Sequence, residues 1–320
     1  MNLIASPSRS SGLEKDGDTL KDFKVQEEYR DFIQGKLDSC LQKFPPSGDA
    51  TQSTQRTEVE QNILILFRKL REGISSSHRK DEFALEVYET SLVLATLFRT
   101  PLQATTTLSY LLPGLYYASS SESLRQQGRL SITLISLLHH LVAAYPSQAP
   151  FHQHLPIIPA SFLPRGSQAS KWISSIASAL RTNDYMKLGA LTQLSAIQEA
   201  TSGTNEKLAT PSPSESHLKS STRHLDPGLA NEALLTLVDA LRTKARARIW
   251  LTLRSAYREL WCQSEYDTSE WLESTLALKS LKAGQASTDA GMWLGEREKE
   301  GDVRKKEGSD SRWILIKPKQ

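Results

Sequence analysis

The sequence predicts a mainly α-helical fold, built from stacked helical pairs and ending in a small C-terminal module that contains a strand. Segment after segment places apolar residues three and four positions apart, which is the spacing of an amphipathic helix. Prolines separate these segments, as at Pro45-Pro46 and at Pro101. The run from Trp313 to Pro318 is the one clear strand signal. Many helices followed by one strand favour a helical array over a sheet-based fold.

Nine helices follow from this periodicity. The predicted ranges are 24–44, 57–72, 80–99, 102–119, 129–145, 169–181, 184–198, 228–260 and 268–281. The first range stops at Pro45-Pro46, and the second starts at a capping box formed by Thr57 and Glu60. Residues 1–21 carry Ser, Gly and charge without periodicity, so they are predicted to be a disordered tail.

The third and fourth predicted helices form a pair around the break at Pro101. On the third helix, Leu85, Leu92 and Phe98 mark one apolar face, whereas Glu86 is expected on the side that faces water. One such pair buries little apolar surface alone, and it needs neighbouring pairs to complete a core. We therefore expect a repeat-like stack of helices.

The middle of the chain combines short helices with two irregular segments. Prolines are dense between residues 146 and 167, which predicts a crossing loop. Two short helices then flank the turn Arg181-Thr182-Asn183-Asp184. Residues 199–226 are rich in Ser, Thr and Pro and lack apolar periodicity, so they are predicted to be a disordered insertion. This insertion interrupts a single helical domain that spans residues 22–260.

The longest predicted helix, residues 228–260, carries a candidate binding face. Its apolar stripe runs along one side, and Lys244, Arg248, Arg254 and Arg258 then share the outward half. Four cations at this spacing suit phosphates or an acidic peptide. The alternative is a solvated face that only keeps the helix soluble, and the sequence leaves both interpretations open.

Residues 261–320 are predicted to form a winged-helix-like module, complete or partial. Residues 282–310 are Gly-rich and charged, and the predicted strand follows them. Trp313 lies beside basic residues, where an aromatic ring stacks on a base in some nucleic-acid-binding proteins. A hydrophobic plug at the edge of a small sheet is the better interpretation of this tryptophan.

No catalytic or cofactor-binding motif emerges from the sequence. It contains no phosphate loop, no dinucleotide-binding fingerprint and no nucleophile elbow. His139, His140, His152 and His154 cluster within 16 residues, but no Cys, Asp or Glu lies between Ser123 and Asp184 to complete a zinc site. We therefore expect structural histidines, no cofactor and no enzymatic activity.

Bulk properties restrict the class of protein further. The 320 residues accommodate one large domain with tails or two domains, and the net charge of +3 allows a local basic patch without requiring one. Cys40 and Cys262 are too few for a disulfide framework and are predicted to be reduced thiols. No apolar run approaches the roughly 18 residues of a membrane span, and no secretory signal is apparent. An intracellular chain without membrane spans is expected.

Four short motifs occur in a fixed order between residues 22 and 260. They are the segment Tyr29-Arg30-Asp31-Phe32, the pair Val87-Tyr88-Glu89 and Leu115-Tyr116, the turn from Ala179 through Asn183 to Tyr185, and the helix from Leu235 to Tyr257 that carries Lys244. In this order they resemble the Sac/GANP family, whose members are messenger-RNA export scaffolds with a PCI-type helical domain. The resemblance implies a stacked helical-repeat (PCI-like) array in a divergent member of that family.

The resemblance also implies a function. It suggests a non-enzymatic scaffold subunit of a nuclear complex that couples transcription to mRNA processing and export, with a cytoplasmic fraction allowed. Its partners would be other protein subunits, including a small acidic PCI-binding protein, with RNA or DNA contact as a further expectation. Two alternatives stay open: a PCI-type subunit of the proteasome lid, the signalosome or a translation-initiation complex, and a direct RNA-binding module.

Overall fold

The computed structural model describes residues 19–45, 54–116, 126–202, 226–262, 268–281, 287–309 and 311–318. Over these residues the chain is mainly α-helical, which confirms the predicted fold class at that level. Most of the predicted tail and most of the predicted insertion, residues 1–18 and 203–225, lie outside the described residues. Along the described part of the chain, no helix combines the length and the apolar composition that crossing a bilayer requires.

The chain forms two compact units. Unit 1 takes residues 1–128 and 213–233, and unit 2 takes residues 129–212 and 234–320. The domain boundary predicted at residues 260 and 261 does not coincide with this division. Residues on both sides of it belong to unit 2, because Arg254 forms an ion pair with Asp302 and the strand at Glu259–Trp261 pairs with the one at Arg312–Leu315. Composition alone does not reveal such long-range pairing.

Four helices make up the described core of unit 1. They are α1 (Phe23–Lys43), α2 (Thr54–Ser76), α3 (Glu82–Leu97) and α4 (Pro101–Tyr110), and α4 continues into a π-helical turn at Leu111–Leu115. Each helix packs on the next one along the chain. The side chains of Asp22 and Asp81 cap α1 and α3, and Pro101 occupies the first turn of α4, where its missing N–H costs nothing.

Helix α3 is more deeply buried than its sequence suggests. Leu85 and Leu92 are buried, as predicted, whereas Phe98, which lies just beyond the last residue of α3, is half-buried. The prediction that Glu86 faces water is wrong, because its side chain is 13% exposed and forms an ion pair with Arg30 of α1 at 2.7 Å. The periodic pattern identifies the apolar face of a helix, but it does not show that a further helix covers part of the polar face.

Unit 2 contains the remaining helices, of which α5 and α10 begin in unit 1. They are α5 (Gln126–Ala144), α6 (Ala149–His154), α7 (Gln168–Thr182), α8 (Tyr185–Leu191), α9 (Leu194–Ser202), α10 (Pro227–Ala256), α11 (Thr268–Thr275) and α12 (Ala290–Lys299). A 3-10 turn, Leu155–Ile157, follows α6. The single helix predicted at 184–198 is therefore two helices, and residues 199–202, predicted to be disordered, complete the second.

Two helices of unit 2 lie in segments that were predicted to lack one. Helix α6 has six residues and carries Pro150 in its first turn, so periodicity has too few positions to indicate it. Helix α12 lies in the Gly-rich charged segment. It forms because Asp289 accepts a hydrogen bond from the Met292 N–H at 2.7 Å and because the helix buries its own Leu294 side chain fully.

A three-stranded antiparallel sheet completes unit 2. It consists of β1 (Glu259–Trp261), β2 (Val303–Lys305) and β3 (Arg312–Leu315), in the order β1-β3-β2. The predicted strand is confirmed as β3, whereas β1 and β2 have only three residues each. Trp313 lies opposite Leu260 on one side and Lys305 on the other, and it is 5% exposed. Its interpretation as a hydrophobic plug is confirmed.

Candidate functional site

Helix α10 sets the register of the candidate site. Its predicted apolar stripe is confirmed in unit 2, where Leu234, Val238, Leu241, Ala245 and Ile249 are all buried. A stripe at this spacing fixes which side chains point away from the core. The four predicted cations can therefore be located one by one.

Lys244 and Arg248 project outward as predicted, but their contacts differ. The Lys244 ammonium donates a hydrogen bond to the Val142 carbonyl oxygen at 2.6 Å, near the C-terminal end of α5. A cation at this end of a helix satisfies a free carbonyl and complements the helix dipole. Lys244 thus has a structural contact, whereas Arg248 lines a cleft.

The prediction that Arg254 faces outward is wrong. The residue is 9% exposed, its guanidinium forms an ion pair with Asp302 at 2.5 Å, and its Nε donates to the Ile316 carbonyl oxygen at 2.7 Å. Asp302 also accepts a hydrogen bond from the Trp250 indole N–H at 2.8 Å. Arg254 therefore fastens α10 to the C-terminal strands, which cover the side of the helix that the sequence suggested was free.

Arg258 is exposed but lies beyond the end of α10 at Ala256. Its carbonyl oxygen accepts a hydrogen bond from the Leu315 N–H at 3.0 Å, next to the β1–β3 ladder. The four predicted cations consequently do not form one continuous stripe on α10. Among them, Arg248 lines a concave surface.

That concave surface is a cleft of 310 Å³, which we call the basic cleft. It is lined by Tyr145, Pro146, Gln148, Ala149, His152, Leu180, Arg181, Asn183 and Arg248. Two arginines and a histidine contribute to this lining, and none of the lining residues is acidic. Both arginines are exposed. The cleft therefore presents a local positive charge to an anionic ligand.

The C-terminal end of α7 positions Arg181 and Asn183 in the basic cleft, with Arg181 in the last helical turn and Asn183 directly after it. Asn183 ends α7 in the left-handed conformation, with φ of 55°, and its N–H donates to the Ala179 carbonyl oxygen. Asp184 then caps α8 by accepting from the Lys187 N–H at 3.1 Å. The Tyr185 hydroxyl donates to Asn183 Oδ1 at 3.0 Å. Asn183 and Tyr185, predicted as markers of the fold, thus meet in one turn.

Replacing Asn183 with alanine tests this turn. Alanine pays the steric cost of the left-handed region, which asparagine and glycine tolerate, so we expect Asn183→Ala to lower the free energy of unfolding by about 1 kcal/mol. Asn183→Gly is the matched control, because it also removes the side-chain amide but accepts the backbone conformation. Chemical denaturation measures the free energy of unfolding of both variants. Equal losses would show that the effect of Asn183 on stability comes from the hydrogen bond to Tyr185 and not from its backbone conformation.

The other fold-marker residues lie away from the basic cleft. In unit 1, Val87, Tyr88, Leu115 and Tyr116 are buried, and the Tyr116 hydroxyl donates to Glu89 Oε1 at 2.8 Å. The two predicted motifs of this helix pair are therefore in direct contact. In unit 2, Tyr257 is 46% exposed, and its ring meets that of Trp271 edge-on at 5.9 Å between centroids.

Three of the four clustered histidines, the buried His139 and the half-buried His140 and His154, form an aromatic group, whereas His152 is exposed in the basic cleft. The rings of His140 and His154 lie 4.5 Å apart, and His154 Nε2 is 2.7 Å from the Ser136 hydroxyl. Burial, with a smaller contribution from the neighbouring His140, lowers the pKa of His139 and of His154 to about 4. Within the described ranges, no three His, Cys, Asp or Glu residues are arranged to hold a metal ion.

The low pKa of His139 has a consequence for stability against pH. Because the folded pKa of about 4 lies below the unfolded value of 6.5, its stabilising effect is complete above pH 6.5 and is lost as pH falls toward 4. As pH falls from neutral to about 5, we expect the titration of His139 alone to lower the free energy of unfolding by about 2 kcal/mol. Urea denaturation of His139→Gln should show a correspondingly shallower pH dependence, and an unchanged slope would contradict the assignment.

Sequence reasoning missed much of the basic cleft. His152 and Gln148 belong to the α6 region, which was predicted to be a loop, and Arg181 was noted only as part of a turn. Gln148 Nε2 donates to the Ala177 carbonyl oxygen at 2.8 Å and so ties α6 to α7. The available signal was Pro150, placed where a short helix would start.

Comparison of the chain with protein-family models and with curated proteins gives no match. The resemblance to the Sac/GANP family therefore rests on the four motifs alone and stays a prediction.

Proposed function

We propose that this protein is a non-enzymatic helical scaffold, a subunit of a nuclear complex that couples transcription to mRNA processing and export, as in the Sac/GANP family. Its basic cleft binds an acidic segment of a partner subunit. The observation that carries this proposal is the pairing of Arg181 and Arg248 in one cleft whose lining has no acidic residue. The helical character of the described chain and the order of the four motifs support the scaffold role.

An acidic peptide suits the cleft better than a nucleic-acid strand. Proteins that track a phosphate backbone use many cations along an extended surface, often six to ten contacts. In α10, Arg254 is committed to Asp302 and Lys244 to a helix carbonyl, so no such track exists on that helix. Two arginines around a bounded volume of 310 Å³ fit one or two carboxylates.

A binding titration with a short fluorescein-labelled Glu-rich peptide tests the proposal. We expect Arg181→Gln/Arg248→Gln to weaken binding about tenfold, because each exposed charge contact contributes up to about 1 kcal/mol. Arg165→Gln/Lys171→Gln is the matched control, since both residues are exposed in unit 2, lie outside the cleft and change the net charge equally.

Varying the salt concentration and adding a second probe test whether binding is electrostatic and which class of ligand the cleft prefers. Peptide binding should weaken as ionic strength rises, and the difference between the two double variants should shrink with it. Equal weakening by both variants would mean that general charge, and not the cleft, binds the peptide. The second probe is a single-stranded RNA with the same charge as the peptide. If the RNA bound more tightly than the peptide, and Arg181→Gln/Arg248→Gln abolished this binding, the ligand of the cleft would be RNA and not an acidic protein segment.

A further inference from the structure

Arg71, in the last two turns of α2, is buried and forms no ion pair with any residue that the structure describes. It is 7% exposed, its Nη1 donates to the Thr107 hydroxyl, and its Nε has no hydrogen-bond partner. Its guanidinium lies 5.8 Å from the centre of the Tyr88 ring. Burial lowers the pKa of this arginine, which means that the site disfavours the charge that Arg71 carries. A group held in this way is stabilised by any carboxylate that reaches it.

The other two buried arginines in the described part of unit 1 are satisfied. Arg30 pairs with Glu86 at 2.7 Å. Arg79 pairs with Glu27 at 2.7 Å and with Asp81 at 2.8 Å. The charge of the adjacent Glu72 raises the pKa of Arg71 and so partly opposes the effect of burial, but the ion pair of Glu72 is with Arg68, at 2.8 Å. Unit 1 thus supplies carboxylates to its buried arginines and leaves Arg71 as the exception.

Arg71 lies at the wall of a groove of 470 Å³ formed by α2, α3 and α4, which we call the Arg71 groove. Its polar lining includes the side chains of Arg68, Glu72, Ser75, Gln103 and Thr106, and the charges of Arg68 and Glu72 offset each other in an ion pair at 2.8 Å. Its rim carries two large apolar side chains, Leu102 at 83% exposed and Tyr110 at 55% exposed. A buried cation, hydrogen-bonding side chains and an apolar rim occur together in sites that bind short peptides.

We propose that the Arg71 groove binds an internal segment of a partner protein in which an Asp or Glu is followed by a large apolar residue. The carboxylate pairs with the Arg71 guanidinium, and the apolar side chain covers Leu102 and Tyr110. Polar lining continues on both sides of Arg71 along α2, with Arg68 one turn before it and Ser75 one turn after it. This continuity suits a chain that passes through the groove better than one that ends in it.

The Arg71 groove is separate from the basic cleft, and it recognises a different feature. The basic cleft offers exposed charge to an acidic stretch, whereas the groove requires one carboxylate beside one apolar group. Variants in unit 2 therefore test the proposed function, and variants in unit 1 test this inference. If one of the two tests fails, the other proposal is unaffected.

The direct test compares three labelled peptides on the full-length chain. The first is capped at both ends and carries a single Glu-Leu step, the second has Gln in place of that Glu, and the third carries the only carboxylate at its C-terminus. We expect the first peptide to bind about tenfold more tightly than the second, because an ionised acceptor makes a stronger hydrogen bond to arginine than a neutral one. It should also bind more tightly than the third, because no apolar residue follows a terminal carboxylate to cover Leu102 and Tyr110. Equal affinity for the Glu and Gln peptides overturns the proposal without any protein variant. If the third peptide binds more tightly than the first, the groove recognises the C-terminal end of a chain, and the proposal of an internal segment is wrong.

Protein variants locate the binding in the groove. Arg71→Met should abolish the preference for Glu over Gln and keep or raise the melting temperature, since it removes a buried charge that has no anionic partner. Leu102→Ala/Tyr110→Ala should weaken the Glu and Gln peptides alike by about tenfold, with Phe32→Ala, another exposed aromatic in unit 1, as its control. A Glu preference that survives Arg71→Met contradicts the assignment, and so does a rim variant that binds as the wild type does.

Discussion

Glu86→Gln should lower the free energy of unfolding by about 3–5 kcal/mol, the range expected when one partner of a buried ion pair is removed. Arg30 is 3% exposed and would be left without its carboxylate, although glutamine fills nearly the same volume. Glu86 also accepts a hydrogen bond from the Thr90 hydroxyl at 3.0 Å, so the substitution disturbs a small network and not one contact. Equilibrium unfolding in urea measures the loss.

Two further variants isolate the cause of this loss. Glu28→Gln is the matched control in the same unit, because its partner Lys24 lies 4.0 Å away and both side chains are mostly exposed. We expect that control to stay within about 0.5 kcal/mol of the wild type. The double variant Arg30→Met/Glu86→Leu should recover most of the stability, because no uncompensated charge remains. If Glu86→Gln cost no more than Glu28→Gln, the pair between α1 and α3 would not stabilise unit 1.

Gly189→Ala should destabilise unit 2 by about 3 kcal/mol or more. Gly189 lies in α8, and a Cβ at this position would stand 2.3 Å from the carbonyl oxygen of Ser274 in α11. A backbone atom cannot rotate away as a flexible side chain does, so the two helices would have to separate. Thermal and chemical denaturation both report this change.

Gly295→Ala provides the matched control for Gly189→Ala. Gly295 lies inside α12 of the same unit, and a Cβ there meets nothing within 4 Å. Alanine should therefore stabilise that helix slightly, by up to about 1 kcal/mol, through its better helix propensity. Similar changes in the two variants would mean that helix propensity, and not the close approach of α8 and α11, governs Gly189.

Regular helices with a complete apolar face could be predicted from the sequence. The stripe of α10 from Leu234 to Ile249 is an example, since burial repeats over four turns and leaves little ambiguity in the register. Helix α6 and the strands β1 and β2 could not be predicted, because three to six residues contain too few periods. Such elements form through contacts distant in sequence, as β1 does by pairing with β3.

The candidate sites were harder to predict than the fold, for a related reason. Whether an arginine on a helix faces water depends on what packs over it, and Arg254 and Arg248 are indistinguishable by pattern. The structure separates them, since Asp302 lies 2.5 Å from Arg254, whereas Arg248 lines a cleft. The sequence carries no signal that distinguishes Arg71, because an arginine near an apolar stripe ordinarily indicates a solvated side chain.

Affinity purification of the tagged full-length chain from nuclear extract, with and without nuclease, tests the scaffold function most directly. We expect a set of transcription-coupled mRNA-export subunits in fixed stoichiometry that survives nuclease treatment and includes a small acidic protein. Arg181→Gln/Arg248→Gln should lose that acidic protein, whereas Arg165→Gln/Lys171→Gln should retain it. Recovery of proteasome-lid, signalosome or initiation-complex subunits in fixed stoichiometry, or loss of all partners on nuclease treatment, would contradict the proposed function.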